Sequence, residues 1–225
     1  MCTFYEYRCT NMHIPDGFLD PVWCIITYLI SITYFVAGAK IMKSPLTPGK
    51  VSLITTLAAG IFAAQMLNWP IPGGTSLHFV GGALAGILLG PFYGSTALAL
   101  VVTLQALLFH DGGITTLGAN LLNMAIIDVL IGYYIYRLVV AKTGFSKKTV
   151  FIGGLLGGWM GIFIAGVACG VEIGLSPQFP YGVLISVPAM GVWHFILGII
   201  EGIITGSVLF YIASKNPELL VGNVR

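Results

Sequence analysis

Apolar runs alternate with short breaks of Pro, Gly and charged residues along almost the whole chain. A membrane-crossing helix takes about 20 apolar residues, so the pattern predicts six or seven spans joined by short loops in one domain. The first runs from Pro21 to Ile41, and a basic turn from Ser44 to Gly49 separates it from a second, Val51 to Leu67. The uncharged break from Asn68 to Gly74 leads to a short third span that begins at His78 and ends near Gly90, with Pro91 and Gly94 as the next turn. A fourth span ends near Phe109, and His110, Asp111, Gly112 and Gly113 form a polar loop before a fifth, Leu117 to Leu138. Val150 to Val171 is the sixth, Glu172 opens an outer loop, and the last runs from Pro188 to Ala213. The expected fold class is all-α, a polytopic membrane helical bundle of about seven transmembrane helices.

Composition narrows the function. Of 225 residues, 57% are hydrophobic and 8% charged, with a mean hydropathy of +0.95, which argues for an integral membrane protein and against a soluble or nucleic-acid-binding domain. The chain contains no Walker-type glycine-rich loop ending in Lys-Ser or Lys-Thr, so energised transport requires partner subunits. No assembled nucleophile or acid/base pair recommends an enzyme. Cys2, Cys9, Cys24 and Cys169 form no Cys-x-x-Cys pair and carry no redox or zinc assignment. Residues 1–11 are polar and aromatic, without the apolar core of a signal peptide. They are expected to be a leader or an overextended start, with residues 12–225 as a single membrane domain.

Seven spans place every Lys and Arg except Arg8 on one side, which the positive-inside rule makes cytoplasmic. The expected protein is a multi-pass protein of the cell membrane, with its N-terminus outside and its C-terminus cytoplasmic. Asn68, His110 and Glu172 then face outward, and His78 and His194 lie within a turn or two of that face. All four histidines share one end, as a site reached from outside requires.

The chemistry centres on Met12 to Phe18. With Met12 as the first residue, its amine, the deprotonated amide of His13 and the His13 ring Nδ1 form two fused chelate rings. That planar nitrogen set suits Ni²⁺ or Cu²⁺, tolerates Co²⁺ and leaves one in-plane position for a further imidazole, for which His78 is the candidate. The competing reading is that His13 merely sits at a membrane interface beside a Pro-Asp-Gly turn. Gln65 and Asn68, three residues apart, could orient a ligand imidazole or serve the interface. Ionisable groups within spans are costly and carry a functional prior. Glu201, two helical turns after His194 on the same face, is either structural glue or a coupling group. Asp128 is either a hydrogen-bonded partner inside the bundle or a functional group, and Asn120 with Asn123 could cross-link helices. Neither a His-Glu-x-x-His sequence nor a His-x-x-x-His pair exists. Glycines four apart (Gly82, Gly86, Gly90; Gly153, Gly157, Gly161; Gly198, Gly202, Gly206) predict close helix packing inside the bundle. Ala59 and Ala63 are a strip that could receive another subunit.

Met12 to Leu19 (MHIPDGFL), Ala63 to His78 (AAQMLNWPIPGGTSLH), Gln105 to Ala125 (QALLFHDGGITTLGANLLNMA) and His194 to Thr205 (HFILGIIEGIIT) resemble a known family. It is the CbiM/NikM family, the substrate-capture membrane component of energy-coupling-factor nickel and cobalt importers. The resemblance implies a six-helix core plus an extra N-terminal helix that inserts its first two residues into the centre. It implies Met12, His13 and His78 as metal ligands. Gln65, Asn68, His110, Asn120, His194 and Glu201 stand beside these as supporting or coupling candidates from their positions in the sequence alone. It further implies a transmembrane coupling subunit, paired ATPases and a small auxiliary membrane protein common in such systems. Ni²⁺ or Co²⁺ is then cargo, feeding nickel enzymes or cobalamin biosynthesis, and no tightly bound cofactor is expected. The eleven-residue extension departs from the family pattern, because it blocks the terminal amine unless translation starts at Met12 or the leader is removed. The alternatives are a vitamin-capture component of the same transporter type and a passive metal channel.

Overall fold

The computed structural model describes residues 13–41, 47–67, 69–71 and 75–220. Helices α1 (Pro21–Ile41) and α2 (Pro48–Gln65) are followed by strands β1 (Trp69–Ile71) and β2 (Thr75–Leu77), then α3 (Gly82–Leu89) and α4 (Pro91–Phe109). Helix α5 (Leu117–Asn120) continues through a π-helical turn (Leu121–Ile127) into α6 (Asp128–Thr143), and α7 (Lys147–Leu175) and α8 (Val183–Lys215) complete the bundle. With 117–143 counted as one continuous helix, the described residues hold seven helices besides a short 3-10 turn at Pro217–Leu219, and five of the seven are long and apolar enough to cross a membrane. The fold class is all-α. Its small departure is the β1–β2 ribbon, antiparallel with Trp69 opposite Leu77, which leads directly into His78.

Apolar residues face outward where lipid would be. Helix α1 exposes Val22, Ile25 and Leu29, while its buried residues are Thr27 and Ser31. Both hydroxyls are satisfied: Thr27 Oγ1 donates to Trp23 O at 2.9 Å, and Ser31 Oγ to Gly118 O on α5 at 2.8 Å. This inside-out pattern fits a helix in hydrocarbon, where every polar group must find a protein partner. Helices α7 and α8 pack along glycine faces, with Gly154 and Gly158 of α7 against Gly206 and Gly202 of α8.

Three expectations need correction. Gly94 makes no turn: Pro91 occupies the first turn of α4, and Gly94 lies within that helix against α3. A methyl group there would lie 2.7 Å from Gly86 N and 2.8 Å from Ala85 O, so only glycine allows the approach. Gly94→Ala is expected to cost about 1–3 kcal/mol by overpacking and to lower the melting temperature in detergent, and an unchanged transition would contradict this packing. Gly90 does not join its packing row; it links α3 to α4 at φ 81° with open space at its Cβ position. Glu172 lies in no loop. It stays buried in α7 and accepts a 2.7 Å hydrogen bond from Asn123 Nδ2 in the π turn, a partner that replaces water.

Candidate metal centre

The residues before α1 fold into the bundle and are gripped through their backbone. Ile14 N donates to Asn120 Oδ1 at 2.8 Å, and Ile14 O accepts from Gly113 N at 3.0 Å, from Asn120 Nδ2 at 3.1 Å and from Thr116 Oγ1. The Asn120 amide therefore holds both polar groups of one residue and fixes the chain next to His13. Asp16 extends the clamp, accepting from Ile114 N at 3.2 Å and Thr115 N at 2.8 Å. Burial works to raise its pKa, but these hydrogen bonds together hold it below the ordinary value. Gly113 leaves room for this docking, since a Cβ there would sit 2.3 Å from Asp16 Oδ1.

His78 arrives from the other direction, at the end of β2. Its Nδ1 lies 2.9 Å from Phe79 O. A carbonyl can only accept, which assigns the proton to Nδ1 and leaves Nε2 a lone pair. The following turn is held by three helices. Gln65 Nε2 of α2 donates to Val80 O at 2.7 Å. Glu201 of α8 accepts from Val80 N at 2.9 Å and Gly81 N at 2.8 Å, and Asp128 of α6 accepts from Gly82 N at 3.0 Å.

The two segments bring the imidazoles together, with ring centroids 5.4 Å apart and planes inclined by 47°. Metal–nitrogen bonds of about 2 Å would put two imidazoles on one ion with centroids roughly 4.5–6.5 Å apart, so the pair is spaced to share an ion. His13 is 2% exposed and His78 0%, and among the described residues neither nitrogen of His13 nor Nε2 of His78 makes a hydrogen bond of good geometry. Burial lowers the pKa of His13 to about 4, with the Asp111 backbone acting weakly the other way. Burial, and then the neighbouring His13, lowers His78 to about 4 as well. Both rings are therefore neutral at physiological pH, the form that binds metal.

Asn120→Ala would leave the buried Ile14 N–H without its acceptor and free the segment that aims His13. Calorimetry with Ni²⁺ is expected to show affinity falling about 10–100-fold, the usual effect of losing an orienting partner. Unchanged affinity would remove Asn120 from the site.

The other candidates divide. Met12 and Asn68 lie outside the described residues. Gln65 and Glu201 hold the His78 turn, as above. His194 is buried, its Nδ1 2.7 Å from Met190 O, and it lines a cavity with Asn120 and Asn123. His110 is exposed: it caps α4 in the left-handed conformation at φ 54°, while the next residue, Asp111, is buried. Ala59 and Ala63 are exposed on α2. Sequence reasoning missed Asp16 and Thr116, whose signal was the pairing of a Pro-Asp-Gly turn with a Gly-Gly-Ile-Thr-Thr loop.

Residues 13–219 match the family described as the cobalt uptake substrate-specific transmembrane region, CbiM. A fused NikMN protein of Archaeoglobus fulgidus, assigned by name to nickel transport, is 51% identical over 210 residues, 93% of this chain and 68% of that protein. The cobalt transport protein CbiM of Clostridium tetani is 32% identical over 94% of this chain and 89% of its own length. A crystal structure of a truncated transition metal transporter superposes with a TM-score of 0.83 at 37% identity, over 90% of this chain and 99% of that one.

Proposed function

This chain belongs to the CbiM family, and we propose that it is the substrate-capture membrane component of an energy-coupling-factor importer for nickel or cobalt ions. The observation that carries this reading is the pair of buried, neutral imidazoles 5.4 Å apart, each held by its own hydrogen-bonded clamp. His13 and His78 supply ring nitrogens, and the amide of His13 and a terminal amine on Met12 complete a planar set. Such a set favours Ni²⁺, and Co²⁺ is accommodated.

The ion enters from the outer face, where the N-terminus lies, and the basic loops face the cytoplasm. A transmembrane coupling subunit and paired ATPases supply the work of release. The exposed strip with Ala59 and Ala63 on α2 is where the coupling subunit docks. Alone in proteoliposomes, the chain is expected to bind Ni²⁺ or Co²⁺ yet accumulate neither. With coupling subunit and ATPases present, uptake follows ATP. Concentrative uptake by the lone chain that collapses with a protonophore would replace this reading with gradient-driven transport.

A further inference from the structure

In this conformation solvent does not reach the two imidazoles, which are buried on all sides. An ion can join them only if one wall moves. The wall behind His78 is costly to move, because its turn is bonded to Gln65, Asp128 and Glu201, fully buried side chains on three helices, and releasing it would strand their polar atoms away from water. Residues 13–16 are built differently. They form no helix or strand, and among the described residues the bonds made by Ile14 and Asp16 all end in one stretch, 113–120. The outermost of these anchors is Asp16, an exposed carboxylate that accepts from Ile114 N, Thr115 N and the Thr115 hydroxyl. Bonds at such a place open locally, since water can replace them. Gly17 comes next, exposed, at φ 88° and with nothing within 4 Å of its Cβ position, and the one bond across it, Phe18 N to Pro15 O, is long at 3.4 Å. It is free to act as a pivot. Beyond it the chain is fixed again: Phe18 packs against Phe179 with ring centroids 5.5 Å apart, Leu19 is buried, and Asp20 N donates to Ser176 Oγ at 3.0 Å.

We propose that residues 13–16 are a strap that pivots at Gly17, carrying His13 out to solvent and back onto His78, and that Asp16 on the Ile114 and Thr115 amides is the latch that sets how often it opens. This motion serves the metal capture proposed above and rests on it. Entry and escape of the ion both wait for the strap, so a weaker latch speeds both by the same factor and leaves their ratio unchanged. A residue that only orients a ligand changes the ratio instead.

Hydrogen exchange on the metal-free full chain reads the strap without any ion. The Ile14 N–H, which donates to Asn120 Oδ1, is expected to exchange about tenfold faster in Asp16→Ala, while amides within α7 keep their rates. Thr115→Val keeps the backbone amide and loses only the hydroxyl, and should give a smaller rise of about threefold. Unchanged exchange at Ile14 in Asp16→Ala, or an equal rise in α7, overturns the strap. Stopped-flow mixing with Ni²⁺, on chains beginning at Met12, reads the gate: Asp16→Ala should raise the association and dissociation rates together, each about tenfold, with the dissociation constant held within about threefold. A weakened affinity at an unchanged association rate makes Asp16 an orienting residue and overturns the gate. Absence of Ni²⁺ binding in the unaltered chain refutes the capture reading instead, and the exchange result still decides the strap.

Discussion

His78→Ala abolishes high-affinity Ni²⁺ or Co²⁺ binding and leaves the chain folded in the membrane. The ring is fully buried, its one hydrogen bond runs to the adjacent Phe79 carbonyl, and its Nε2 has no other use among the described residues. The turn behind it stays anchored by Gln65, Glu201 and Asp128, so removing the imidazole opens a small void without releasing the backbone. Loss of an in-plane ligand should exceed the roughly 100-fold typical of an orienting partner. Calorimetry and a metal-free melt on the same preparation separate the two effects. Wild-type affinity in the variant would end the assignment of His78 as a ligand. His110→Ala is the internal contrast: its side chain is exposed, and it should change affinity less than about tenfold.

The residues that carry this prediction were legible before the fold was known, because a histidine in an almost uncharged apolar chain has few bland explanations. The ends of α1 at Ile41 and α4 at Phe109 were also readable, since a basic turn follows one and a polar glycine loop the other. The shell around the site was not. Asp16 meets Thr115 across 99 positions through a backbone amide, and no local pattern announces such a bond. Glu172 suggested a loop only because a carboxylate in a span needs a partner, and the partner, Asn123, is presented by a π turn that periodicity does not predict. His110 and Asp111 are neighbours in sequence, and the left-handed turn at His110 determines which of the two is buried.

A chain beginning at Met12 binds Ni²⁺ far more tightly than one that keeps residues 1–11, and only the shorter form gains affinity as pH rises through the amine titration. The planar set needs a primary amine on Met12. With the extension attached, that nitrogen is a peptide nitrogen that must lose its own proton to bind. The sign follows from ligand deprotonation: affinity rises with pH wherever a ligand sheds a proton to bind. His13 and His78, lowered to about 4, have finished titrating below pH 6. A further rise centred near the amine's unperturbed pKa of roughly 8 therefore belongs to the terminus. Equal affinity and equal pH profiles in the two forms, with retention of the extension verified, would rule out an amine ligand and leave His13 and His78 as side-chain ligands in a more open geometry.

X-ray absorption at the nickel edge on the purified chain beginning at Met12 reads the planar nitrogen site directly. The expected spectrum is that of a four-coordinate, planar, all-nitrogen nickel site with two imidazoles, one of which is lost in His78→Ala. A six-coordinate oxygen shell, a sulphur ligand, or a spectrum indifferent to His78 would contradict it.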